Sequence, residues 1–162
     1  MAQQSEPDDL PSPSLVAAWL VVDRLDPASV PTSAAWWLVQ GHDGEALRQL
    51  AGLSGQDPWD VRELLPSALA DIGVALPTPA EAVRLAFEHE AKACLAGKVD
   101  ERTVARFVEN VYIDSDYASW VLDEPLGEIY GVDDEWEGRW GRLEDDLRKA
   151  VRAACAAQLE IE

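Results

Sequence analysis

The stretch TPAEAVRLAFEHEAKACLAG, residues 78–97, decides the fold class. Thr78 with Glu81 three residues later forms a capping box, in which each side chain satisfies a backbone N–H that the helix start leaves free. Pro79 at the first helical position and Gly97 just past the last one complete the start and stop signals. Between them Val83, Phe87, Ala91 and Cys94 recur every three or four residues, so they share one face of a helix from Pro79 to about Ala96. Arg84, Glu88 and Lys92 recur every four residues on another face and read as a solvated charge ladder.

The same period extends in both directions. Upstream, Ser12 or Ser14 can cap a helix running to about Leu25, where Asp26 and Pro27 stop it. A second helix is expected over Ser33–Gln40. Asp43 is placed to start a third, and Asp57-Pro58 opens a fourth through Val61 and Leu65, with Pro66 able to kink or restart it. Downstream, Asp100 can cap a helix carrying Val104, Phe107, Val108 and Val111. A short helix is expected near Tyr117 to Leu122, and one continuous final helix from about Asp133 to Leu159 carries the stripe Trp136, Trp140, Leu143, Leu147 and Val151. No segment alternates with period two for long enough to need a sheet. The expectation is an all-α chain of seven to nine helices, the two longest in the second half, with HEAT-like stacking permitted. Residues 1–11 read as a disordered tail and 12–162 as a single helical domain.

Composition narrows the function classes. There are 162 residues with 31 acidic and 13 basic side chains, a formal net charge of −18. Phosphate recognition needs a concentrated Lys/Arg footprint, so this balance argues against nucleic-acid binding and against anionic membrane surfaces. The longest apolar run, Leu15–Val22, is far shorter than the roughly 20 residues that span a bilayer. The first eleven residues carry Glu6, Asp8 and Asp9 and no cation, which is not the pattern of a secretory signal. Cys94 and Cys155, both in Ala-rich helical patterns, read as reduced and buried. Together these predict a cytoplasmic protein.

Motifs for chemistry are few. His89 lies between Glu88 and Glu90, but a helical metal site needs ligands three or four apart, and those positions before it hold Ala86 and Leu85. Asp114-x-Asp116 starts like a calcium loop, yet Ala118, Ser119 and Pro125 stand at its fifth, sixth and twelfth positions. No nucleophile elbow, phosphate loop or dinucleotide fingerprint occurs. No catalytic residue, metal ligand or cofactor is assigned.

One band stands out. From Glu109 to Gly138 there are ten acidic side chains and no Lys or Arg, interleaved with Tyr112, Tyr117, Trp120, Tyr130 and Trp136. Carboxylates steer a cationic partner and aromatics supply desolvated contact area, so Asp114, Asp116, Tyr117, Trp120, Asp123, Glu124, Tyr130, Asp133 and Asp134 form the candidate partner-binding set. The competing reading keeps the aromatics inside as core and the acids outside as solubilising charge. Both stand open at this point.

Residues Pro125-Leu126-Gly127-Glu128-Ile129-Tyr130, Asp134-Glu135-Trp136 and Trp140-Gly141-Arg142 resemble the tails of small acidic uncharacterised proteins of high-GC bacteria. Leu95-Ala96-Gly97-Lys98-Val99-Asp100 is similar to segments of helical immunity proteins that neutralise polymorphic toxins. The resemblance implies a non-catalytic inhibitor of a basic partner, such as a toxin; a monomer or homodimer is expected. The alternative from a different class is a small enzyme or ligand-binding helical protein with a pocket near Trp36, His42 and His89.

Overall fold

The computed structural model describes residues 10–160. They are all-helical, with 70% helix and no strand among the described residues. No helix among them is long and apolar enough to cross a membrane. The chain clusters into two compact units, one up to Thr78 and one from Pro79 onward; the span 12–162 covers both. Of the tail expected over 1–11, residues 1–9 lie outside the described residues. The carbonyl of Pro11 accepts a hydrogen bond from the Trp37 indole at 3.0 Å.

The first unit holds α1 (Pro13–Val21), a 3₁₀ turn (Pro27–Ser29), α2 (Val30–Val39), α3 (Glu45–Ala51) and α4 (Pro58–Asp71). Ser12 caps α1 through a bond from the Leu15 N–H. The helix ends at Val21 rather than Leu25, because Asp23 turns left-handed (φ 58°) and the Arg24 N–H returns to the Trp19 carbonyl. Trp37, Leu47, Leu50, Val61, Leu65 and Leu69 form the core. Pro66 lies inside an uninterrupted α4. At the start of α3 the expected cap is corrected. Asp43 pairs with Arg48 at 2.6 Å, and the carboxylate of Asp71, from the end of α4, takes the N–H groups of Ala46 and Leu47. Gly44 makes room for it, since a Cβ there would collide with the Asp71 side chain.

The second unit holds α5 (Pro79–Leu95), α6 (Glu101–Asp114), α7 (Ser119–Leu122), a 3₁₀ segment (Pro125–Ile129), α8 (Val132–Gly138) and α9 (Glu144–Leu159). The two longest helices of the chain are α5 and α9, with 17 and 16 residues. They pack along each other although three helices separate them in sequence, which is not the nearest-neighbour pairing of a HEAT stack. Phe87 meets Phe107 edge-on at 6.2 Å, joining α5 to α6.

The continuous final helix is also corrected, because the chain breaks between α8 and α9. Arg139 turns left-handed (φ 52°), and Trp140 and Leu143 point outward at 73% and 75% exposure. A clamp holds the turn: the Glu135 carboxylate receives the Arg142 guanidinium at 2.7 Å and the Arg142 backbone N–H at 3.2 Å. A Cβ on Gly141 would strike Glu135, and one on Gly138 would strike Trp140. The two glycines around Trp140 therefore mark a break that the apolar stripe conceals.

Candidate aromatic and acidic surface

The acidic band divides into two environments. Glu124 is buried, with one carboxylate oxygen 3.1 Å from the Arg84 guanidinium of α5 and the other accepting from the Gln158 amide of α9 at 3.0 Å. The Gln158 carbonyl oxygen in turn accepts the Leu126 N–H at 3.0 Å. Such a network satisfies each buried polar group with another and positions the segment between α7 and α8. It also removes Glu124 from the steering set and takes Arg84 out of the charge ladder expected along α5. Asp133 is likewise occupied, with Arg102 at 3.0 Å and Arg106 at 3.3 Å, and Arg102 also reaches Glu137.

The other environment collects around three tyrosines. The α6 helix ends with the Asp116 N–H bonded to the Ile113 carbonyl and the Tyr117 N–H to the Tyr112 carbonyl. This termination places Asp116 (φ 60°) in the left-handed region usually given to glycine, and Tyr117 (φ 58°) follows it there. Ser115 holds the turn by donating to the Tyr112 carbonyl at 2.7 Å and accepting the Ala118 N–H at 3.2 Å. The Tyr117 ring stands edge-on to Tyr112 at 5.4 Å, and Tyr130 packs on Tyr112 at 4.5 Å. Tyr117 and Tyr130 remain 57% and 42% exposed.

Carboxylates surround this cluster. Burial, and then the charges of Asp134 and Asp133, push the Glu109 carboxyl above its ordinary range. Burial also pushes the Tyr130 phenol up, with Tyr112, Glu109, Tyr117 and Asp134 adding to the effect. Asp116, Asp123 and Asp134 are exposed and make no ion pair among the described residues, and Asp114 is exposed beside them. Trp120 is half-buried on α7. Tyr112 and Glu109 belong to this surface although the candidate set omitted them. Their three-residue spacing on α6, which puts both on one helical face, was the available signal.

The residues of the alternative pocket are spread over both units. Trp36 is half-buried at the end of α2, His42 is exposed, and His89 is half-buried on α5, where burial and then Lys92 and Lys98 lower its pKa. Among the described residues no group of three or more His, Cys, Asp or Glu side chains is placed to hold a metal ion. The break between α8 and α9 opens a cleft of about 470 Å³ lined by Arg102, Trp136, Arg142 and Leu147, whose two arginines already hold carboxylates. Comparison with protein-family models, with curated proteins and with solved structures finds no match to this chain.

Proposed function

We propose that this protein is a non-catalytic binding module, of the inhibitor or immunity type, that engages a basic protein through the tyrosine cluster and the free carboxylates of its second unit. The observation that carries the reading is the exposure of Tyr117 and Tyr130 beside Asp116 and Asp134, which make no ion pair among the described residues. Exposed aromatic rings with a hydrophobic body and a polar tip are favoured contact groups, and an arginine or lysine over such a ring gains a cation–π attraction. Backbone strain at Asp116 and Tyr117 supports the same reading, because a left-handed conformation costs roughly 1 kcal/mol per non-glycine residue and holds Tyr117 outward. The chain's net charge of −18 would draw a cationic partner toward this face. A toxin is the partner class implied by the sequence resemblance, and two buried free thiols suit a cytoplasmic inhibitor.

The test is capture from the source lysate with products of neighbouring genes included, followed by binding kinetics on each recovered protein. Raising salt from about 50 to 500 mM should slow association, since the Debye length falls from roughly 14 to 4 Å. Replacing Tyr117 and Tyr130 by Ala should speed dissociation, with a loss on the order of 2 kcal/mol, while circular dichroism stays unchanged. Kinetics indifferent to both changes would overturn the reading.

A further inference from the structure

We propose that a second copy of this chain docks beside the turn between α8 and α9, with Trp140 and Leu143 of each copy entering an apolar groove on α9 of the other, to form a two-fold dimer. The contact uses different residues from the tyrosine cluster, and the inference does not depend on the binding reading.

The projecting half is held in place. Trp140 and Leu143 are 73% and 75% exposed, more than either Tyr117 or Tyr130. Exposed apolar side chains scattered singly are ordinary, whereas two large ones on one short turn make a patch that favours contact. The Trp140 indole lies against Gly138, where a Cβ would strike it, and the Glu135–Arg142 clamp fixes the turn that carries it. A ring held in this way loses little freedom when it is buried, so the turn is prepared for an anchoring role.

The receiving half lies next to it. A groove of about 240 Å³ is lined by Ile129 and Val132 together with Ala150, Ala153 and Ala157 of α9. Alanines at three- and four-residue spacing share one helical face and leave it low, which gives room to a large side chain from outside. Arg142, which stands between Trp140 and Leu143 in sequence, also lines the groove, so projection and groove are neighbours. Each copy therefore carries both halves of one contact side by side. That is the self-complementarity a two-fold axis requires, and using both halves of both copies at once closes the pair rather than extending a filament.

Charge sets the register. Arg139 precedes Trp140, and Glu128 lines the groove beside Ile129; both are exposed and make no ion pair among the described residues. Seating Trp140 in the partner's groove brings Arg139 to the partner's Glu128, once on each side of the axis. Exposed pairs of this kind add little affinity but select the orientation. Opposing the association is the net charge of −18 on each copy, a long-range repulsion that salt screens. Apolar burial is not screened. The dimer should therefore tighten as salt rises, the reverse of the response expected when a basic protein binds the tyrosine surface.

The test is sedimentation equilibrium of the full chain over about 1 to 500 μM, in about 50 and 500 mM salt. A monomer–dimer equilibrium is expected, with a dissociation constant on the order of 10 to 100 μM at the higher salt, as suits a small interface, and a weaker one at the lower. Trp140→Ser should weaken it about 30-fold, leaving the chain monomeric over most of this range. Ala153→Gln, which fills the groove from an exposed helical position, should do the same, with circular dichroism unchanged for both variants. In about 150 mM salt, Arg139→Glu and Glu128→Arg should each weaken the dimer about tenfold, and the two changes together should restore it. A chain that stays monomeric throughout, a dimer that loosens with salt, one indifferent to Trp140→Ser or Ala153→Gln, or a double reversal no tighter than its single variants would each overturn the proposal.

Discussion

Glu124 and Asp134 belong to the same run without Lys or Arg, yet their surroundings differ completely. Glu124 is enclosed by Arg84 and Gln158, which come from helices on either side of the run in sequence, and it serves the fold. Asp134 is exposed beside Glu109 and Tyr130, and its charge adds to the burial that raises the pKa of both. The cations missing from the run are supplied from outside it to one part and withheld from the other. A partner's cations can therefore act only on the second part, and the density of acids in the sequence overstates the surface that is available.

The largest effect expected from breaking this contrast is at Glu124. Glu124→Ala leaves the Gln158 amide buried without its acceptor and should cost about 3 kcal/mol in chemical denaturation. Glu124→Gln, which keeps an acceptor oxygen, should cost less. Next is Arg102→Met, which removes the partner of Glu137 and leaves the partly buried Asp133 with Arg106 alone, and should cost about 2 kcal/mol. Asp116→Gly works in the opposite direction. It relieves a left-handed aspartate and should raise stability by about 1 kcal/mol while slowing association with a basic partner. Equal destabilisation at Glu124 and Asp116 would erase the distinction between the two environments. Smaller again is the double change Asp123→Asn with Asp134→Asn, expected to leave stability within about 0.5 kcal/mol and to act only on the association rate.

The finest comparison is a carboxyl titration followed by NMR. Hydrogen bonds from the Arg142 side chain and backbone hold the Glu135 carboxyl below its ordinary range. The stability it contributes is present above the unfolded-state pKa and is lost as pH falls through the lowered value. Glu109, raised by burial and then by Asp134 and Asp133, has the opposite sign. Its contribution becomes more favourable as pH falls through the raised value toward the unfolded one. The Glu109 midpoint should lie above that of Glu135, and Asp134→Asn should lower the former without moving the latter.

Much of the helical framework was legible because its signals are local. Ser12, Asp57 and Asp100 each accept a backbone N–H within three residues, and the three- and four-residue spacing of Val83, Phe87, Ala91 and Cys94 sorts α5 by its own geometry. Part of the candidate surface was legible for the same reason, since Asp116, Tyr117, Tyr130 and Asp134 stand out by residue type within one short run. What required the tertiary structure were links between distant residues: Asp71 capping α3, Gln158 meeting Glu124, and Arg102 meeting Asp133. The Glu135–Arg142 clamp spans only seven residues but forms only once the chain has turned between α8 and α9. Sequence by itself determined most of the segments that become helices, though not the break between α8 and α9, because capping and periodicity are free energies of neighbouring residues. Only the folded arrangement decided which carboxylates are neutralised, because each such pairing is worth a few kcal/mol at most and depends on where separate helices bring their side chains.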